Sequence, residues 1–284
     1  MKELVLACID GSTFNPAVCD AAAWAAHRMD APLTFLHVLS KPQQPPQTDL
    51  SGNIGLGTQE SLLEDLAAID EQRGKLIQER GRQILAATKK RAITAGIAAP
   101  EVLQRHGGLV ETLTELEEDV RLLVLGKRGE AAELAAEHLG SHLERVVRTM
   151  RRPILVTPVE FYAPHRVMLA FDGSATTRKG VEMIARSPLF RGLPCHLVMA
   201  GADSAENRAQ LADARQTLEQ AGFETPAVII PGEAEEVLAQ YQQKHNIGMM
   251  ILGAYGKSRI RHLLIGSTTT SMLRKSTIPL LLLR

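Results

Sequence analysis

The sequence predicts an α/β chain made of two tandem domains, each an open five-stranded parallel sheet with helices on both faces. Three observations predict it. The chain has 284 residues, room for two domains of roughly 100–200 residues each. Short, wholly apolar runs alternate with helical stretches, the pattern of strands covered on both faces. And the pattern occurs twice, because Leu4-Val5-Leu6-Ala7-Cys8-Ile9-Asp10-Gly11-Ser12 recurs as Val167-Met168-Leu169-Ala170-Phe171-Asp172-Gly173-Ser174.

Each copy opens with an apolar strand ending in Asp-Gly-Ser, which is turn chemistry leading to a helix N-cap. The helices that follow are expected near 14–29 and 176–187. After Val38, copy one carries an insertion of about 41–75, starting with the Pro/Gln/Gly-rich segment Lys41 to Gly57, which reads as a surface loop. A long amphipathic helix, Gln59 to Ala95, comes next, with a break expected near Gly74 or Gly81, then a strand at 101–105. Copy two has compact equivalents: helix 204–221, strand 226–230, helix 233–246. The later strands also repeat. Leu122-Leu123-Val124-Leu125-Gly126 matches Met249-Met250-Ile251-Leu252-Gly253, and Arg152-Pro153-Ile154-Leu155-Val156-Thr157 matches Ile278-Pro279-Leu280-Leu281-Leu282-Leu283. The domains are therefore 1–158 and 159–284. The last strand, 279–283, would be an apolar edge if unpaired, and 154–157 is its natural partner.

Composition narrows the function classes. Thirty-two basic and 32 acidic residues leave no net charge to hold a polyanion, so no nucleic-acid partner is expected. No apolar run approaches the roughly 20 residues of a membrane span, and Met1 to Leu6 enters strand pattern without a signal peptide, so a cytoplasmic protein is expected. Cys8, Cys19 and Cys195 lack zinc-ligand spacing and read as reduced packing thiols. His138 and His142 are four apart with no third ligand in view, which reads as a solvated loop and not a metal site. No Gly-x-Ser-x-Gly, Gly-x4-Gly-Lys-Ser/Thr or His-Glu-x-x-His motif is present, and no catalytic residue is assigned.

One segment carries chemistry. After the fourth strand of copy two comes Gly253-Ala254-Tyr255-Gly256, nine residues, then Gly266-Ser267-Thr268. Glycines let backbone approach a phosphate chain, and Ser267 and Thr268 open the next helix at its positive end. Lys257, Arg259 and Arg261 supply cations between the glycines, with no acid among them.

This Gly-x2-Gly-x9-Gly-Ser pattern, with Asp-Gly-Ser after the first strand, resembles the ATP-binding branch of the universal stress protein family, twice over nearly the whole chain. The resemblance implies a Rossmann-like fold, ATP accompanied by Mg2+, and pairing of the two domains through their last strands, with further homodimerisation left open. It implies that Asp172 contacts the adenine region, that Val198, or Met199 in its place, lines the base pocket, and that Gly253, Gly256, Gly266, Ser267 and Thr268 hold ribose and phosphates, with Lys257 and Arg259 beside them. Asp172 has a simpler reading as a helix cap alone, and for Asp10 that reading is favoured. Copy one departs from the pattern: ten residues separate Gly129 from Gly140-Ser141, and Glu130, Glu133 and Glu137 stand there against Lys127 and Arg128. Copy one is therefore expected to be empty or to take another ligand. The functions in view are a nucleotide-dependent binding or sensor module in the stress response, a slow ATPase or nucleotidyl or phosphoryl transferase, and small-molecule or lipid binding by copy one.

Overall fold

The computed structural model of the chain describes residues 3–39, 56–129, 141–254 and 266–284. The first copy contains β1 (Leu4–Cys8), α1 (Asn15–Met29), β2 (Leu33–Leu39), α2 (Leu56–Thr94), β3 (Glu101–His106), α3 (Leu109–Leu116), β4 (Val120–Gly126), α4 (Ser141–Thr149) and β5 (Ile154–Thr157). The second contains β6 (Val167–Ala170), α5 (Ala175–Arg186), β7 (Cys195–Ala200), α6 (Ala205–Gln220), β8 (Ala227–Ile230), α7 (Ala234–Lys244), β9 (Met249–Gly253), α8 (Ser267–Lys275) and β10 (Leu280–Leu283).

The two five-stranded sheets are not separate. They join into one ten-stranded sheet of order β3-β2-β1-β4-β5-β10-β9-β6-β7-β8, parallel throughout except at the centre. There β5 and β10 run antiparallel, with Leu280 opposite Val156, Leu281 opposite Leu155 and Leu282 opposite Ile154. All of these leucines are buried, so the join removes the apolar edge that either copy would expose alone.

Alternate strand residues feed two cores, one on each face. Val5, Ala7, Leu169, Leu197 and Leu281 face α1, α2, α5 and α6. Leu6, Leu123, Met168, Val198 and Leu282 face α3, α4, α7 and α8. Helix α1 is narrow where it meets the sheet, with Ala21, Ala22 and Ala25 fully buried; small side chains there bring the helix axis close to the strands.

Basic side chains cross the joint in both directions. Lys127, at the end of β4, sends its ammonium to the carbonyls of Arg274 and Ser276 at the C-terminus of α8. Arg284, at the end of β10, sends its guanidinium to the carbonyls of Val147 and Arg148 at the C-terminus of α4. Each copy thus caps the negative end of the other's last helix.

Two expectations are corrected. Helix α2 begins at Leu56, so residues 56–57 of the expected surface loop are helical, while the rest of that loop lies outside the described residues. Nor does α2 break at Gly74 or Gly81. Long-chain helix formers on either side outweigh two glycines at ~1 kcal/mol each, and Gly81 has a packing reason: a Cβ there would stand 2.3 Å from Gln104 Nε2 and 2.7 Å from His37 Cδ2.

Candidate functional site: the carboxyl edge of the second copy

In each copy the strand order reverses between its first and fourth strands, β1 beside β4 and β6 beside β9. Crevices at such switch points, beyond the carboxyl ends of parallel strands, are where ligands bind on open α/β sheets. Asp172 follows β6, and Gly253 ends β9.

The Asp172 carboxylate is exposed and organises its own turn. Oδ1 accepts from the backbone N–H of Ser174 at 2.9 Å and from the Thr177 hydroxyl at 2.8 Å. Ser174 in turn caps α5 by accepting from Thr177 N–H. Gly173, at φ 70°, makes the turn, and a Cβ there would meet the Gln210 carboxamide of α6 at 1.8 Å. The cap of α5 is therefore Ser174 and not Asp172, whose carboxylate ties the turn before the helix and stays exposed.

Across the crevice, Gly253 lies under the first turn of α5. A Cβ at 253 would be 3.4 Å from Thr176 Cγ2 and 3.5 Å from Thr177 Cγ2. The Thr269 hydroxyl donates to the Gly253 carbonyl at 2.9 Å, stapling the first turn of α8 to the end of β9. That staple fixes Gly266, Ser267 and Thr268 at the mouth. Gly266 is the N-cap residue of α8, no described side chain caps the helix, and its first turn holds no acid. The helix N-terminus therefore presents backbone N–H groups and partial positive charge, the arrangement that receives phosphate.

Of the residues expected at the site, Asp172, Gly253, Gly266, Ser267 and Thr268 come together at this edge. Gly256, Lys257 and Arg259 lie outside the described residues. Val198 ends up buried in the core that faces α3, α4, α7 and α8, and its carbonyl accepts from Phe171 N–H at 2.9 Å. Met199 is also buried, on the opposite face. The open position at the end of β7 is Ala200. Sequence reasoning missed Thr176, Thr177 and Gln210; the Ser-x-x-Thr spacing at the start of α5 was the one available signal for Thr177.

The first copy closes the same edge. Phe14, which corresponds to Thr176 at the spacing of Asp10 to Asp172, is buried against Gly126, where a Cβ would stand 2.8 Å from its own Cβ. Gly129 sits on Asp10, a Cβ there falling 2.6 Å from Oδ2. The first turn of α4 carries Glu144 where α8 has no acid. On the far side of Phe14 a cavity of ≈ 590 Å³ opens at the joint, lined in part by Lys127, Arg128, Tyr162, His165 and Ile278. Burial, reinforced by neighbouring Arg128, lowers the Lys127 pKa.

His142 is exposed and His138 lies outside the described residues; among the described residues no cluster of three His, Cys, Asp or Glu side chains could hold a metal. Burial pushes the Cys19 and Cys195 thiols up to about 12 and raises that of Cys8 further, so all three are inert packing groups. No described helix is long and apolar enough to cross a membrane.

The chain matches the Universal stress protein family over residues 1–158 and again over 164–284. It belongs to that family. Over its full length it is 39% identical to the universal stress protein Slr1230 of Synechocystis, covering all of both chains. It is 24% identical to Rv2005c of Mycobacterium tuberculosis, another universal stress protein, with 97% of this chain and 95% of that one covered. Among solved structures, a universal stress protein from Archaeoglobus fulgidus superposes with a TM-score of 0.75 over 99% of this chain and 98% of that one, at 19% identity. That likeness establishes the two-domain fold.

Proposed function

We propose that this universal stress protein is an ATP-binding module in which the second copy holds the nucleotide and the first does not. The observation that carries this reading is the acid-free first turn of α8, stapled by Thr269 beside Gly253 and facing Asp172 across the switch point of copy two. The phosphates sit at that helix N-terminus, on the N–H groups of Gly266 to Thr268 and the hydroxyls of Ser267 and Thr268. Lys257 and Arg259 add charge neutralisation. The turn takes up Asp172 Oδ1, and Oδ2 faces the base and ribose side. The oxygen donors at the mouth suit Mg2+, which keeps most of its ligands as phosphate and water. Occupancy then alters the shape or the partners of the chain, which is the behaviour of a stress-response sensor.

Calorimetric titration of ATP with Mg2+ into the full chain and into Gly266→Val tests this. Gly266 has φ −55° and ψ 144°, an extended conformation open to valine, so the variant is expected to fold with its isopropyl group at the N-terminus of α8. One binding event in the wild type, weakened at least ~100-fold in the variant, is the expected result; no heat in the wild type removes the reading.

A second reading concerns copy one, which takes a small, partly apolar molecule in place of ATP. The cavity at the joint favours it.

A further inference from the structure

Helix α2 has 39 residues where its counterpart α6 has 16. The ends of the two helices stand at the same distance before β3 and β8, so residues 79–94 are the part shared with α6 and 56–78 are extra. Packing begins where the shared part begins. Gly81 meets β2 and β3 through His37 and Gln104, and Leu85, Thr88 and Ala92 are buried. Before Gly81, residues 65–77 are all exposed. At 1.5 Å per residue the extra segment stands roughly 35 Å beyond the sheet's helix layer.

A solvated helix has no need of large apolar side chains, yet this one carries Leu66 at 47% exposure, Ile69 at 59%, Leu76 at 71% and Ile77 at 37%. Positions 66, 69 and 76 fall on one face, at the three- and seven-residue steps of a helix-pairing seam. The charges are divided along the axis. Asp65, Asp70 and Glu71 occupy the first half with no base among them, and Arg73, Lys75, Arg80 and Arg82 occupy the second against Glu79 alone. Such a helix repels a parallel copy of itself and attracts an antiparallel one. Pairs within the helix, Lys75 with Glu71 at 2.7 Å and Arg82 with Glu79 at 3.6 Å, are exposed at both ends; ion pairs of this kind are weak in water and exchange partners readily. Gly74 lies close to the midpoint, and a Cβ there would meet nothing within 4 Å, so two backbones can approach closely at the crossing.

We propose that this projecting half of α2 is a self-complementary docking helix, through which two copies of the chain associate antiparallel about a two-fold axis near residues 72–73. The acidic half of each copy lies along the basic half of the other, and Ile69 of one meets Leu76 of its partner. The contact is isologous, the kind that closes a dimer and propagates no further. It leaves the nucleotide edge of copy two untouched, so it stands or falls independently of ATP binding.

Sedimentation velocity of the full chain, from low to high micromolar concentration, tests it with three variants. Wild type is expected to sediment as a concentration-dependent dimer. Ile69→Glu with Leu76→Glu, both at exposed positions, is expected to raise the dimer dissociation constant by at least ~10-fold while leaving the circular dichroism spectrum unchanged. A chain with Asp65, Asp70 and Glu71 changed to Lys, and one with Arg73, Lys75 and Arg80 changed to Glu, are each expected to be monomeric alone and to form a heterodimer when mixed. That restored association also shows that both variants are folded. Wild type that stays monomeric at every concentration overturns the proposal, as does a dimer that survives the double Glu change.

Discussion

The two copies share a fold, a strand order and an Asp-Gly-Ser turn, yet their carboxyl edges differ in one decisive place. In copy one, Phe14 is buried on Gly126 and Gly129 rests on Asp10; in copy two, the place of Phe14 is taken by half-buried Thr176. An aromatic ring is a packing group that belongs to the core, and it fills the gap between the first and fourth strands. A threonine leaves the gap available. The comparison teaches that, on the reading proposed above, filling the gap closes such an edge as effectively as breaking its loop does.

Removing the ring tests that account with the largest effect. Phe14→Thr is expected to destabilise the chain by ~3 kcal/mol, as large-to-small core changes do, read as a lowered urea midpoint. It is expected to add no second ATP, because the acids of copy one still oppose a triphosphate. The reciprocal change, Thr176→Phe, is expected to weaken ATP binding ~100-fold, about 2.7 kcal/mol, with a thermal midpoint no lower than that of the wild type. Retained affinity would show that the first turn of α5 does not border the nucleotide.

Smaller changes sharpen the picture. Asp172→Asn keeps an oxygen that accepts from Ser174 N–H and the Thr177 hydroxyl, so stability is expected to hold, while the loss of the carboxylate weakens nucleotide binding ~10-fold; an unchanged titration would reduce Asp172 to a turn-forming residue. Lys127→Met removes the ammonium from the C-terminus of α8 and is expected to cost ~1 kcal/mol, measured by chemical denaturation.

The smallest effect is one of pH, and it is confined to copy two. His196 is buried with Nδ1 2.9 Å from the Tyr241 hydroxyl, while Tyr241 stacks on His245 at 4.0 Å. Burial first, then His245 and Arg166, lower the His196 pKa, against a smaller opposing pull from Glu224. The unfolded chain therefore takes up the proton first as pH falls below about 6.5, and stability is lost on that side. Copy one has Thr34 at the matching strand position, so His196→Phe is expected to flatten the acid limb of the stability profile; a limb of unchanged slope would assign the acid sensitivity elsewhere.

How legible this was in the sequence depended on what kind of signal each feature leaves. Apolar runs ending in Asp-Gly-Ser or glycine marked the strands to within a residue or two, because a strand covered on both faces needs nothing else. The pairing of 154–157 with the last strand followed from an edge too apolar to stand alone. The faces taken by Val198 and Met199 were not legible, because alternation along β7, invisible in a uniformly apolar run, decides which core a side chain enters. Phe14 gave no signal: a lone aromatic after a turn says nothing about the gap it fills until β1 and β4 are side by side. The unbroken α2 required tertiary information as well, since Gly81 is explained by His37 and Gln104, both distant in sequence.

The central claim, one nucleotide site in the second copy, is tested most directly by native mass spectrometry of the full chain with ATP and Mg2+. The account predicts a single added ATP per chain, saturating without a second step, and absent in Gly266→Val. Two ATP per chain would mean that copy one is open despite Phe14, and none would mean that the carboxyl edge of copy two serves a different ligand.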